Sequence, residues 1–213
     1  MLSKFYTDKN INKTFIFTIG LYLLILYINQ WFAVNSPDME KNQTRLYDRG
    51  FDIFKPPISS RIPDILLITT MIYFILRWYS THKKLLIKFF FLMILLFTMR
   101  VFIFMATETP TPLANCDPNK EGDKWNKFDI KWVFGDHEKT CLDNMFSGHA
   151  VHIIGIFLFT LMFSSYLREK IIIGILMVVT LITLIWSRLH YTSDVVVAAC
   201  LTMGYFFIVH QFL

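Results

Sequence analysis

The chain has 213 residues, of which 54% are hydrophobic, 17% aromatic and 17% charged. A soluble domain of this size carries about 25% charged residues, so the composition excludes an ordinary water-soluble core and points to a bundle of helices solvated by lipid. The formal net charge of +5 is not a nucleic-acid signature: the Lys and Arg residues are scattered between apolar blocks, without the basic stripe interleaved with aromatics that single-strand binders use.

Taken in order, the polar segment 1–13 is followed by an apolar block, 14–34, that lacks a small-residue cleavage site and reads as a retained first span. Further spans are predicted over 62–79, 85–106, 146–167, 171–188 and 195–213. Each is near the roughly 17–25 residues that cross a bilayer. Pro63 and Asp64 fall at the start of the second span, where a helix tolerates both. The expected fold is therefore all-α: one polytopic membrane domain, 1–213, with six transmembrane helices.

Six spans place both termini on one face. That face carries nine Lys and Arg in short segments, including the turn at Arg168–Lys170. The other face holds the loops 35–61 and 107–145, with ten Lys and Arg among twelve carboxylates. Basic density in short loops favours cytoplasmic termini, with the long loops lumenal or exoplasmic. Connections longer than about 12–15 residues are usually functional or disordered; the 107–145 loop, with Pro110, Pro112, Pro118, Trp125, Phe128 and Trp132, reads as an ordered cap. It contains Cys116 and Cys141. In a lumenal compartment these two are the sensible pair for a disulfide, the alternative being two unpaired thiols. Cys200 lies within the sixth span, and no zinc-type spacing is present.

Polar residues gather on the long-loop face. The fourth span opens with Asp143-Asn144-Met145-Phe146-Ser147-Gly148-His149, and Ser187-Arg188-Leu189-His190-Tyr191-Thr192-Ser193-Asp194 joins the fifth to the sixth. Arg100 lies near the end of the third span, on the same side. Ionisable groups clustered near a bilayer suggest a site. His190 and Asp194 are spaced i, i+4, which on a helix stacks them on one face; a carboxylate there fixes the imidazole tautomer and prepares the other nitrogen to attack phosphorus. Gly148 permits close backbone approach, the start of a helix suits a phosphate, and His149 can exchange a proton with a leaving or entering oxygen. Blander readings stand beside these: Arg100 as an interfacial snorkelling side chain, Asp143 as a loop acid or helix cap, Tyr191 as interfacial belt packing. His152 reads as a polar contact inside the bundle, His137 as a loop surface residue, His82 as cytoplasmic, and Phe89–Phe91 as packed or lipid-facing.

Phe146-Ser147-Gly148-His149 and His190-Tyr191-Thr192-Ser193-Asp194 resemble the two catalytic motifs of the sphingomyelin synthase family, within the lipid phosphatase (type-2 phosphatidate phosphatase) superfamily. Ser59-Ser60-Arg61-Ile62-Pro63-Asp64 resembles its proline-rich motif before the second span. The run from Arg100 through Thr107, Pro110, Pro112 and Cys116 is similar to its Arg…Thr…Pro-x-Pro…Cys motif, and Cys141-Leu142-Asp143 to its Cys-Gly-Asp lead-in, with Leu142 in place of Gly. The resemblance spans residues 45–212. The chain departs from the family in its long, charged loop between the second and third motifs, and in Pro112-Leu113-Ala114-Asn115, which lacks the usual His. Unlike in that pattern, no N-terminal protein-interaction domain is expected before the first span.

The resemblance implies a phosphatidylcholine:ceramide cholinephosphotransferase working by a ping-pong phosphohistidine mechanism in Golgi or plasma membrane. His190 would be the nucleophile, Asp194 its orienter and His149 the acid and base. Arg100, Asp143, Ser147, Gly148 and Tyr191 would contact the lipid substrates. No cofactor or metal is implied. Synthesis of ceramide phosphoethanolamine or inositol-phosphorylceramide would use the same site, as would a lipid phosphate phosphatase, although the K-x6-R-P motif of that branch is absent. A transporter would place more charge at mid-span. The oligomeric state is left open.

Overall fold

A computed structural model of the chain describes residues 10–34, 46–106, 112 and 146–212. Among these residues it is all-helical, with α1 (Ile11–Val34), α2 (Arg49–Ile53), α3 (Arg61–Tyr79), α4 (Lys83–Ala106), α5 (Gly148–Phe163), α6 (Leu167–Trp186) and α7 (Thr192–Phe212). Five of them (α1, α3, α4, α6 and α7) are long and apolar enough to cross a membrane, giving a polytopic helical bundle. The fourth expected span, α5, is apolar but has 16 residues. At 1.5 Å per residue it is roughly 24 Å long, short of the ~30 Å hydrocarbon layer.

Burial explains how a short helix is accommodated. α5 touches α3, α4, α6 and α7, and Ala150 through Ile156 are all buried, so protein surrounds its first half, while Leu161, Met162 and Phe163 at its end are exposed. The outer helices present the opposite pattern: Phe17, Leu23, Ile65, Leu76, Ile171, Ile175, Val196 and Phe207 are exposed apolar side chains, as lipid-facing surfaces require. Their hydroxyl groups are satisfied within the helix, because lipid offers no partner. Thr18 donates to Thr14 O at 2.8 Å, Thr70 to Leu66 O at 2.7 Å, Thr180 to Leu176 O at 2.7 Å and Thr202 to Ala198 O at 2.7 Å.

Helix association in lipid depends on close packing and interhelical hydrogen bonds. α1 lies along α4, with Tyr22 against Phe90 at 5.2 Å and Asn29 Nδ2 donating to Phe97 O at 2.9 Å. Phe89 and Phe90 are packed inside the bundle, Phe89 against Phe74 at 4.9 Å. His152 is likewise interior, hydrogen-bonded to the Tyr22 hydroxyl at 2.5 Å and to Gly148 O at 2.7 Å.

Among the differences from the expected elements, three have a clear side-chain cause. The break between α5 and α6 falls at Ser164–Tyr166, not at the charged Arg168–Lys170. The Ser164 hydroxyl accepts from Tyr166 N at 3.1 Å and donates to the Glu169 carboxylate in the first turn of α6, so the charged residues begin the helix instead of interrupting it. α7 starts three residues early, because the Asp194 carboxylate accepts the Tyr191 N–H at 3.0 Å and caps the turn from its third position. The 35–61 loop contains α2, whose N-cap is Asp48, accepting from Gly50 N at 2.7 Å. Apart from Pro112, the expected cap 107–145 lies outside the described residues.

Candidate active site

Four helix ends meet on the long-loop face: the starts of α3, α5 and α7 and the end of α4. Pro63 and Asp64 occupy the first turn of α3, where a missing N–H costs nothing and a carboxylate meets the positive end of the helix dipole. At the start of α5, Ser147 is the N-cap and its hydroxyl accepts from Ala150 N at 3.2 Å. Gly148 is the first helical residue. A Cβ there would lie 3.2 Å from Phe97 Cζ and 3.7 Å from Arg100 Nη1, so glycine lets α5 approach α4 closely. Arg100, buried at the end of α4, donates from Nε to Phe146 O at 3.1 Å. Ser147 N donates to Asp194 O at 3.3 Å, which joins the starts of α5 and α7.

This framework brings the two histidines together. The rings of His149 and His190 are 6.2 Å apart between centroids. His149 Nε2 is 2.7 Å from Asp64 Oδ1. His190 Nδ1 is 3.9 Å from Asp194 Oδ2, an ion-pair distance beyond hydrogen-bonding reach. The second pair is not formed by helical stacking as the i, i+4 spacing suggested. His190 lies in the turn before α7, and the capping of Tyr191 N by Asp194 brings the carboxylate to it.

The side chain of His149 is 17% exposed, against 8% for Asp64, 6% for His190 and 7% for Asp194. His149 is thus the least buried of the four, and the other three groups lie in a low-dielectric setting where charge–charge interactions are strong. Arg100 adds a buried cation within electrostatic range of Asp194. Two imidazoles at this separation, each beside a carboxylate, can hold a tetrahedral phosphorus between them, one facing phosphorus and the other an oxygen leaving it.

Of the residues singled out in the sequence, His149, His190, Asp194, Arg100, Ser147, Gly148 and Tyr191 converge here. Tyr191 is buried against Phe51, and its hydroxyl accepts from Leu46 N at 3.3 Å. Asp143, Cys116, Cys141 and His137 lie outside the described residues. The pairing of Asp64 with His149 is not in the sequence reading, which places Asp64 at a helix start on the same membrane face and within a proline-rich motif; nothing local to it signals a partner 85 positions away.

Residues 140–211 match the family described as PAP2 superfamily C-terminal. The matched segment is about a third of the chain and contains His149, His190 and Asp194. It supports the lipid phosphatase superfamily and phosphoryl-group chemistry on lipids, a coarser assignment than the sphingomyelin synthase family. No curated protein matches the chain.

Proposed function

We propose that the chain is a membrane-embedded head-group transferase of the sphingomyelin synthase type, moving phosphocholine from phosphatidylcholine to ceramide. The observation that carries the reading is the pair of imidazoles 6.2 Å apart, each beside a carboxylate, in a superfamily-matched segment. His190 Nδ1 faces Asp194, so Nε2 attacks phosphorus. A P–N bond forms, the P–O bond to diacylglycerol breaks, and His149 gives its proton to the departing oxygen. Asp64 on Nε2 of His149 pairs the imidazolium and leaves Nδ1 to carry that proton. In the second half, His149 takes the proton from the primary hydroxyl of ceramide, the oxygen attacks phosphorus, and the P–N bond breaks. Arg100 supplies positive charge as the phosphoryl oxygens gain electron density. The Asp143 carboxylate, Ser147, Gly148 and Tyr191 belong to the substrate surroundings, and a Cys116–Cys141 bridge would tether the long loop. In this reading the site faces the lumenal or exoplasmic side of Golgi or plasma membrane, and the termini face the cytoplasm.

The superfamily match favours a second reading, with water in place of ceramide and hydrolysis in place of transfer. Phosphatidylethanolamine or phosphatidylinositol as donor would keep the same steps. One assay separates them. Membranes containing the chain are given labelled ceramide with each donor in turn, and a parallel set without ceramide is scored for released phosphorylated head group and phosphate. Sphingomyelin from phosphatidylcholine supports the proposal. Release without ceramide would replace it with the phosphatase, and no product in any arm would refute both.

A further inference from the structure

The segment Leu46–Pro57 lies across the turn that carries His190 and is tied to it on both sides. Asp48 Oδ2 accepts from Thr192 N at 2.5 Å, and its Oδ1 accepts from Thr192 Oγ1 and from Gly50 N, both at 2.7 Å. Phe51 lies against Tyr191 at 5.7 Å and Phe54 stacks on Trp186 at 5.8 Å. Trp186 Nε1 donates to Pro56 O at 2.7 Å. The gripped residues, Trp186, Tyr191 and Thr192, bracket His190.

The bracketed turn needs holding. Arg188 has φ 58°, a left-handed conformation that non-glycine residues adopt reluctantly and that persists where surrounding structure enforces it. We propose that Asp48 is a positioning residue: its carboxylate grips the first turn of α7 and so keeps His190 aligned with His149. The inference rests on the reading of His190 as the group that acts on phosphorus.

The residue types fit this task. The exposed N–H groups and positive dipole end at the start of α7 favour an anion. As the N-cap of α2, Asp48 is itself fixed by the Gly50 N–H. An amide cannot replace it, because either flip of Asn sets an NH2 against a backbone N–H, that of Thr192 or that of Gly50. Gly50 is required for the approach: a Cβ would collide with the Thr192 hydroxyl and lie 2.8 Å from Ile185 Cγ2. Asp48→Asn removes the grip chemically and Gly50→Ala removes it sterically. Lys55, on the same segment but paired with exposed Asp52 at 2.6 Å, is outside the grip.

The test compares full-length wild type, Asp48→Asn, Gly50→Ala and Lys55→Ala in lipid nanodiscs, by lipid phosphoryl-transfer kinetics and by amide hydrogen exchange over residues 187–195. Both grip variants should lose on the order of 10²-fold in kcat, the cost of a misplacement near 1 Å, with KM little changed. Their exchange should rise over 187–195 and stay at wild-type rates in α4 and α5. Lys55→Ala should behave as wild type. Retained kcat in Asp48→Asn would overturn the proposal, as would faster exchange along the whole chain, which is loss of fold. If wild type is inactive on every lipid, the functional reading fails; the exchange arm then judges the grip alone, a local rise supporting it and no rise overturning it.

Discussion

Replacing Asp64 with Asn tests the pairing that the sequence did not disclose. The carboxylate lies 2.7 Å from His149 Nε2 and is buried. An amide oxygen can still accept the Nε2 proton, so the tautomer survives and the charge is lost. Hydrogen bonds involving an ionised partner contribute about 1.5–3 kcal/mol against 0.5–1.5 for neutral ones. The difference of roughly 1–1.5 kcal/mol corresponds to about a 10-fold loss of rate if the bond matters when His149 holds the proton. Asp64→Ala removes the orienting acceptor as well. Removing the orienting aspartate of a serine protease triad outright costs about 3 × 10⁴ in kcat, so a fall between ~10² and 10⁴ is expected for this more accessible pair. The assay is initial-rate head-group transfer or release on a fluorescent short-chain lipid, normalised to folded protein by size-exclusion chromatography. The ordering wild type, Asn, Ala is the signature. If both variants run within twofold of wild type, Asp64 is a helix-start residue that happens to face His149, and the acid role assigned to that pair loses its support.

His149→Ala and His190→Ala should each abolish turnover while inserting and purifying normally; activity near wild type in either would remove the two-histidine site. Withholding the acceptor should accumulate acid-labile, base-stable phosphate on His190 and none in His190→Ala, read by radiolabel from a head-group-labelled donor; an unlabelled wild type in the trapped reaction would rule out the covalent step. At the opposite end of the bundle, Glu169 accepts from Tyr73 at 2.8 Å, pairs with Arg77 at 3.4 Å and binds the Ser164 hydroxyl. Glu169→Gln should lower the melting temperature in detergent, by an amount reflecting ~1–3 kcal/mol for a weakened buried network, and leave kcat unchanged; an unshifted melt would show that the network contributes nothing.

The membrane helices were legible because one physical requirement, enough consecutive apolar residues to span lipid, is written locally. Where the sequence misled, a side chain overrode the pattern. Arg168, Glu169 and Lys170 look like a polar turn, but Ser164 closes the preceding turn and Glu169 folds back to it, so the charges sit inside the first turn of α6. α5 looks like an ordinary span and is a short central helix buried over its first half; length and apolarity do not say whether protein or lipid will surround a helix.

The site divides along the same line. His149 and His190 could be picked out because each lies in a short polar stretch beside an apolar block, and the Ser147 cap and the Gly148 contact follow from residues one or two positions away. The acids are harder. The i, i+4 spacing of His190 and Asp194 suggested the right pair by the wrong geometry, since a capping turn rather than a helix face brings them to 3.9 Å. Asp64 and Asp48 contact residues 85 and 144 positions distant, and both occupy places, a first helical turn and an N-cap, where an aspartate already has a sufficient local reason to be. That local sufficiency hid them. A capping aspartate satisfies its own helix with one oxygen and leaves the other to reach a second element. At Asp48, Oδ1 caps α2 while Oδ2 takes the Thr192 N–H. On a membrane face where several helices start together, N-cap and first-turn acids are therefore the residues to examine first for long-range partners of a catalytic histidine.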